Sequence, residues 1–220
     1  MKTEKNRKGL EEAIKEKVSP LLEQTMEKSW GITIPKLETD ITDRLRQPQL
    51  HIYVPITYSF HEAKNFFKST FLKRELRLHR GNVSQLAKTL ELDRRSIHRV
   101  IKGLDIKMNQ VRQEDYTKEQ YQEEIIDRTI RQSLDQYKEI IHPHKMEQMY
   151  QEVPALSRNI AKFLPHPEMT WKEAENEFER QFLRHALDEN QGNVSKTAHQ
   201  LEIRAETLHR KMKKLGLRKE

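Results

Sequence analysis

The stretch that decides the fold is GNVSKTAHQLEIRAETLHRKMKKLGL, residues 192–217, because the same chain carries a second version of it. Residues 81–106 read GNVSQLAKTLELDRRSIHRVIKGLDI, and the two stretches align without a gap at an offset of 111 residues. The similarity extends upstream, since 18 of the 47 positions in residues 60–106 are identical to their partners in residues 171–217. We call these two segments copy one and copy two. Self-similarity at a fixed offset predicts a duplicated unit of about half the chain.

The composition narrows the kind of protein without identifying a function. The 220 residues contain no cysteine, which excludes disulfides and thiolate metal sites, and they carry a net charge of +7. No apolar run approaches the ~20 residues that cross a bilayer, and the charged N-terminus lacks the apolar core of a signal peptide. We therefore expect a cytoplasmic protein with no membrane partner. The positive charge suits a polyanion but also many solvated helical proteins, so only its placement can decide.

Apolar residues recur at three- and four-residue steps through most of the chain, as they do on the buried face of an α-helix. The upstream stripe of Ile14, Val18 and Leu22 loosely matches Ile126, Ile130 and Leu134. We predict an all-α fold, with helices over about residues 10–28, 37–46, 60–80, 83–90, 97–104, 121–141, 145–164 and 171–191, and a short helical pair at the end of copy two.

Two segments depart from this helical pattern. Residues 50–58, LHIYVPITY, alternate apolar side chains as a strand does, but Pro55 restricts them to an edge strand or an extended connector. Residues 107–119 are polar, have no strong apolar period and are expected to form a linker. We expect the helical segments upstream of each copy to pack on the long helices of the copies. The predicted domains are an N-terminal helical segment (1–59), copy one (60–106), a linker with a second helical segment (107–169), and copy two with the C-terminus (170–220).

Each copy is predicted to have a long helix followed by two short helices that are separated by a tight turn. The short pair has the length of a helix-turn-helix, in which the second helix reads DNA. Ala87 and Ala198 are small, as is needed where two short helices cross closely. Asn82 and Asn193 stand at a helix start, where a side-chain oxygen caps free backbone amides and where such amides also suit a phosphate.

These residues resemble the Fis-type DNA-binding domain, which also forms the C-terminus of NtrC-class transcription activators. The family pattern is roughly G-N-x-[ST]-x-x-A-x-x-L-[GE]-[IVL]-x-R-x-[TS]-L-x-[RK]-K-[LM]-K-x-[LYH]-G-[LIM]. Copy two fits it closely through its HRKMKKLGL ending, copy one fits more loosely, and the resemblance covers about 47 residues in each. It implies a sequence-specific transcriptional regulator or a nucleoid-associated protein that binds double-stranded DNA, and it leaves open a partner in the transcription machinery.

The resemblance carries functional roles over to individual residues. Phosphate contacts are implied at the entry to the first short helix of each copy, at Asn82, Ser84, Asn193 and Ser195. Recognition-helix roles are implied for Arg94, Arg95, Ser96, His98, Arg99 and Lys102 in copy one, and for Arg204, Thr207, His209, Arg210, Lys211 and Lys214 in copy two.

The two copies differ at several of these positions. The base-reading arginine of the family is present as Arg94 but is replaced by Ala205 in copy two, with Arg204 one place earlier. The distal part of the helix is less basic in copy one, where Val100 and Gly103 align with the lysines at 211 and 214. We therefore expect the two copies to read different half-sites.

The sequence favours a binding protein over an enzyme. No G-x-x-x-x-G-K-[ST] phosphate loop occurs, so the resemblance implies DNA binding without ATP hydrolysis. We find no nucleophile–base–orienter set and expect no cofactor. His142, His144 and His166 suggest zinc, but prolines separate them and no cysteine or clear carboxylate cluster joins them, so we predict no metal site. One alternative stays open: a protein-interaction adaptor on a helix-turn-helix scaffold that has lost one or both DNA-reading surfaces.

The long helices of the two copies carry opposite charge. Lys, Arg, Asp and Glu side chains give residues 60–80 a balance of +4 and residues 171–191 a balance of −3. In the resembling family two chains pair through this helix, and identical helices with such charges would repel each other. We predict that copy one pairs with copy two, either within one chain as a monomeric pseudo-dimer or swapped between two chains as a homodimer. The pairing seam is predicted at Phe67, Phe71, Leu72, Phe178, Phe182 and Leu183.

Overall fold

The structure, a computed structural model, describes residues 2–32, 34–46, 50, 52–113, 117–165 and 168–217. All regular structure in these ranges is helical, as the sequence predicts, and no described helix is long and apolar enough to cross a membrane. The described helices are α1 (Lys2–Ala13), α2 (Ser19–Thr25), α3 (Pro35–Arg46), α4 (Phe60–Leu78), α5 (Val83–Leu90), α6 (Arg94–Gly103), α7 (Met108–Gln113), α8 (Lys118–Asp135), α9 (Pro143–Ala161), α10 (Trp171–Glu189), α11 (Val194–Gln200) and α12 (Ala205–Leu215).

The chain forms two compact units, each built from two separate stretches. The upstream unit combines Met1–Gln49 with Tyr116–Pro167, and the paired unit combines Leu50–Asp115 with Glu168–Glu220. The paired unit therefore contains both copies. The apolar stripes of the upstream unit bury each other in a core of their own. Our expectation that the segments upstream of each copy pack on the long helices is therefore wrong for these stripes, because a helical stripe shows that a face is buried but not which partner covers it. It holds for α7, which contributes to the core of the paired unit.

In the upstream unit, two wider turns keep a long apolar stripe in the core. Ile14, Val18, Leu22, Met26 and Trp30 follow each other at a strict spacing of four residues and are all buried. On a helix of 3.6 residues per turn this spacing drifts by about 40° per step. One π-helical turn lies between α1 and α2 and another follows α2. Such turns hold an extra residue, so they counter the drift.

Pro154 interrupts the hydrogen bonding of α9, and a neighbouring helix repairs the break. Proline has no N–H, so it leaves the carbonyl of Tyr150 without its helical donor. Arg131 of α8 donates to that carbonyl from Nη2 at 3.2 Å, and its guanidinium lies 5.5 Å from the centroid of the Tyr150 ring. Just beyond the end of α8, burial and the hydrogen bond that Tyr137 donates to Asp40 at 2.6 Å raise the pKa of Tyr137 to about 12.

The segments around copy one differ from the sequence prediction in two respects. The described residues of segment 50–58 form no strand; they run as an extended connector, the second of our two interpretations, and Arg74 donates to the carbonyl of Leu50 at 2.6 Å. The predicted linker at 107–119 instead contains α7, which buries Val111 in the core of the paired unit. A helix of only six residues is too short to establish an apolar period, which is why the sequence pattern does not reveal it.

In the paired unit, the same local backbone devices occur at the 111-residue offset. Capping boxes start both long helices, Ser59 with Glu62 before α4 and Thr170 with Glu173 before α10. A glycine with positive φ stands three residues after each long helix, with φ 71° at Gly81 and 73° at Gly192. Each of these glycines donates from its backbone N–H to a carbonyl of the last helical turn at 2.7 Å. Side chains with a Cβ rarely adopt this conformation, so the shared G-N motif has a direct conformational reason.

One hydrogen bond joins the end of each long helix to the first short helix, although the residues involved differ. His79 Nε2 lies 3.1 Å from the Thr89 hydroxyl, and Asn190 donates to Gln200 Oε1 at 2.6 Å. Positions 79 and 190 are equivalent in the two copies, as are positions 89 and 200. The hydrogen bond at the junction thus joins the same two positions in both copies, although the side chains that form it differ.

The long helices α4 and α10 meet along an aromatic seam. The rings of Phe67 and Phe178, which occupy equivalent positions, stack at 4.5 Å with planes 4° apart. On either side, Phe71 contacts Trp171 at 5.8 Å and Phe60 contacts Phe182 at 6.5 Å, and these two contacts exchange equivalent positions. All six residues of the predicted seam, Leu72 and Leu183 included, are buried in one core.

The aromatic seam should carry a large share of the stability of the paired unit. We predict that Phe67→Ala lowers the free energy of unfolding by about 3–5 kcal/mol, because it removes a buried ring and leaves a cavity. Phe66→Ala is the matched control, since Phe66 is the next residue of α4 and is 39% exposed. Urea denaturation of both variants measures the difference, and equal losses would contradict the seam.

Candidate nucleic-acid interface

Buried apolar side chains hold the short helical pair of each copy, α5 with α6 and α11 with α12, in place. In copy one, Leu86 of α5 and Ile97 of α6 are buried, and in copy two Leu208 of α12 is buried beside Ala198 of α11. The small residues Ala87 and Ala198 are both buried, as close crossing requires. The second helix of each pair is therefore held by one face, and its other face is available to a ligand.

The predicted asparagines cap the first short helices. Asn82 Oδ1 accepts from the backbone amides of Ser84 and Gln85, both at 3.1 Å, and Asn193 Oδ1 accepts from the amide of Lys196 at 3.0 Å. Both asparagines are exposed, as are Ser84 and Ser195 in the first helical turn. The cap uses the carbonyl oxygens of the asparagine side chains, so their amide groups and the serine hydroxyls are the donors that face outward.

The α6 helix presents one basic face. Successive residues of an α-helix are 100° apart, so positions 94, 95, 98, 99 and 102 fall within about 140° of arc. The side chains there are Arg94, Arg95, His98, Arg99 and Lys102, and all five are exposed. Ser96, in the first turn, is half-buried. The structure thus brings five of the predicted residues of copy one together on one surface.

The α12 helix presents a different selection of charges on the equivalent face. His209 and Arg210 are exposed there, Lys214 is exposed at its edge, and Arg204 stands just before the first turn. Thr207 is half-buried. Lys213 is exposed at the centre of the same face and was absent from the prediction. Its equivalence to Lys102 at the 111-residue offset was the signal that could have identified it.

Lys211 does not extend from the surface with the other basic residues. Its ammonium group lies 2.8 Å from Glu179 of α10 and 4.5 Å from the centroid of the Phe60 ring of α4, and the side chain is 20% exposed. Glu179 also pairs with Lys64 of α4 at 3.1 Å. We call Lys64, Glu179, Lys211 and Phe60 the clasp. It fixes α12 to both long helices, so we now interpret Lys211 as a positioning residue.

The carboxylate at the centre of the clasp is only 6% exposed. Burial raises the pKa of Glu179, but the hydrogen bonds from Lys211 and Lys64 outweigh this effect and hold the pKa below its usual value. A second contact joins the copies nearby, because the backbone N–H of Phe60 donates to the carbonyl of Leu201 at 2.9 Å. Copy one therefore helps to position the short helical pair of copy two.

Within the described ranges, no group of three His, Cys, Asp or Glu side chains gathers as a metal site requires. His142 and His144 lie at the start of α9, and His166 lies outside the described residues. The basic faces of α6 and α12 are the two candidate surfaces.

Comparison with known proteins bears on the second of these surfaces. Residues 176–215 match the family model described as bacterial regulatory protein, Fis family, and form a Fis-family helix-turn-helix domain. The chain is similar to the anaerobic nitric oxide reductase transcription regulator NorR of Vibrio vulnificus strain YJ016, with 36% identity over 66 residues. The same regulator from strain CMCP6 is 35% identical over 66 residues. Each alignment covers 30% of this chain and 13% of the relative, so the chain spans a small part of the curated relatives it matches. No solved structure matches the chain.

The clasp should make the stability of the paired unit depend on Glu179 and on pH. Because its pKa is lower in the folded than in the unfolded chain, the ionised carboxylate stabilises the fold above pH ~4.5, and this contribution is lost as the pH falls through the folded value. We predict that Glu179→Gln costs about 1–3 kcal/mol at pH 7. The deficit relative to the parent should shrink on acidification.

Urea denaturation of the parent and of Glu179→Gln at a series of pH values measures this deficit. Glu189→Gln serves as the control, because Glu189 lies on the same helix with 60% of its side chain exposed and should cost little at any pH. A Glu179→Gln deficit that stays constant from pH 7 down to pH 3 would rule out the clasp as its cause.

Proposed function

We propose that this protein is a transcriptional regulator that binds double-stranded DNA through α6 and α12. The observation that carries the proposal is the Fis-family helix-turn-helix at residues 176–215, whose second helix presents Arg210, Lys213 and Lys214 to solvent. Cationic side chains on an exposed helix face suit the phosphate backbone and the base edges of a major groove. A role as a nucleoid-associated protein is the second form of the same activity.

We extend the DNA-binding role to copy one. Its long helix, short pair, caps and left-handed positions recur at the same offset as those of copy two. The face of α6 carries Arg94, Arg95 and Arg99, which are all exposed. Duplication of one module is the simplest account of this correspondence, and it gives one chain two DNA-reading heads.

We propose further that the two heads form a pseudo-dimer within one chain. In an isologous two-fold pair, residue i contacts j wherever j contacts i, and a residue on the axis meets its own equivalent. The contacts of Phe67 with Phe178, and the exchanged contacts beside it, have this pattern. Domain-swapped pairing of two chains would keep these contacts and double the mass.

The charges along the seam favour this unlike pair. Lys68 lies 3.0 Å from Glu175, Lys64 lies 3.1 Å from Glu179, and these two ion pairs again exchange equivalent positions. A pair of two copy-one helices would place lysines against lysines, and a pair of two copy-two helices would place glutamates against glutamates. We also propose that these 220 residues act without ATP hydrolysis, because they contain no G-x-x-x-x-G-K-[ST] pattern.

DNA binding by the protein should depend steeply on salt. Counterion release lowers the logarithm of the affinity linearly with the logarithm of salt concentration, with a slope of about −0.9 per phosphate contact. Fluorescence anisotropy with a labelled duplex measures this slope. We predict that Arg210→Ala weakens binding and makes the slope shallower by about one contact, whereas Lys36→Ala, an exposed substitution in the upstream unit, does neither. Little duplex binding at any salt concentration would instead favour the adaptor.

The pairing predicts a measurable coupling between Lys68 and Glu175. Their side chains are 29% and 23% exposed, so we expect a modest interaction of roughly 0.2–1 kcal/mol. Lys68→Glu and Glu175→Lys should each destabilise the protein, and the double variant should recover part of the sum. A double-mutant cycle by urea denaturation measures the coupling, and zero coupling would contradict the ion pair.

The mass of the protein in solution tests whether the pairing lies within one chain. Light scattering at several concentrations should give the mass of one chain, and a doubled mass would identify the swapped form.

A further inference from the structure

The two reading faces differ most at the start of the helix. Arg94 and Arg95 open α6, and the equivalent positions of α12 hold Ala205 and Glu206. Arg94, Arg95 and Glu206 are exposed, so the difference lies on the surface that a ligand meets. The first turn of a recognition helix is the part that contacts base edges in helix-turn-helix proteins. Each head therefore offers its own chemistry to the bases.

These side chains select different bases. An arginine can donate two hydrogen bonds to the O6 and N7 atoms of guanine. An alanine makes only apolar contact, as with a thymine methyl group, and a glutamate accepts from the N4 amino group of cytosine. Exchanging the two heads on a given site would thus leave guanine opposite Ala205 and place Arg94 over a base that cannot accept two hydrogen bonds.

The remote end of the reading helix adds a second difference. In copy two, Lys214 is exposed and Lys211 is drawn into the clasp. In copy one the equivalent positions are Gly103 and Val100, and Val100 packs against the core. Within the two helices, the basic side chains that one copy has and the other lacks thus lie at the N-terminal end of α6 and at the C-terminal end of α12. Phosphate contacts should accordingly differ in position between the two half-sites.

We propose that the protein recognises a non-palindromic DNA site and binds it in a single orientation. The proposal rests on the two-headed function proposed above, since it requires both heads on one duplex. The seam pairs one copy-one helix with one copy-two helix, so every complex contains one head of each kind. A homodimer of identical heads reads a palindrome and has no preferred direction. A pair of unlike heads has a direction, so it binds a non-palindromic site in one orientation.

The first test is selection from random duplex DNA, followed by affinity measurements on three duplexes. These are the selected site, a palindrome of the half bound by copy one and a palindrome of the half bound by copy two. One bidentate base contact discriminates by about 5- to 100-fold in affinity. We expect the selected site to be non-palindromic and to bind at least about 5-fold more tightly than either palindrome. A palindromic selected motif, or equal affinity for the three duplexes, would overturn the proposal.

The absence of cysteine from the chain allows a direct test of orientation. Lys88 and His199 are exposed residues at equivalent positions of α5 and α11. Lys88→Cys and His199→Cys, each carrying an iron–EDTA cleavage reagent, form a matched pair of probes. On the selected site, we expect each probe to cut the DNA near one end only and the two probes to cut near opposite ends. Cleavage at both ends by either probe would show binding in both orientations.

Two further variants separate this proposal from the proposed function. Arg94→Ala should reduce the preference for the selected site over the copy-two palindrome, whereas Lys36→Ala should leave that preference unchanged. Failure to bind any duplex would overturn the DNA-binding function itself and this inference with it. Tight, salt-dependent binding without directional cleavage would overturn only the inference.

Discussion

The paired unit depends on the stacking of Phe67 on Phe178 across α4 and α10. The two rings occupy equivalent positions, lie nearly parallel and are almost completely buried, so they align the two long helices at one fixed point. Both helical pairs attach to these helices through the G-N turns that follow them. The relative placement of α6 and α12 within this unit is therefore set by the seam, and a change of packing there would alter both surfaces together.

The apolar seam and the charges along it contribute differently, the first to stability and the second to the choice of partner. Burial of aromatic side chains is worth several kcal/mol per residue, whereas partly exposed ion pairs such as that between Lys68 and Glu175 contribute little. The aromatic rings supply most of the stabilisation, but they cannot distinguish one copy from the other, because both helices carry phenylalanine at the central positions. The charges can, since they are opposite at equivalent positions. In the proposed pseudo-dimer, affinity comes from the rings and the choice of partner comes from the lysines and glutamates.

The sequence predicted the helices better than it predicted their partners. Caps and glycines are local signals, and α5 begins and ends where the pattern placed it, at Val83 and Leu90. The duplicated pattern also identified six equivalent apolar positions on the long helices, and all six residues are buried in one core. Two features required the tertiary structure. The upstream stripes were visible, but their mutual burial was not. The sequence pattern does not distinguish Lys211 from the other basic residues of its helix. Only its ion pair with Glu179 of another helix draws it away from the surface.

The clasp shows how a tandem arrangement allows the two copies to differ at equivalent positions. Two identical chains must carry the same side chain at both members of an equivalent pair, so a glutamate that binds Lys211 in one half would appear in the other half as well. Here the position equivalent to Glu179 is Lys68, and the position equivalent to Lys211 is Val100. The ion pair of one half is thus replaced by apolar packing of Val100 in the other. Such asymmetric solutions are open only to a pair whose halves are encoded separately, and the same freedom allows Arg94 and Ala205 to stand at equivalent positions of α6 and α12.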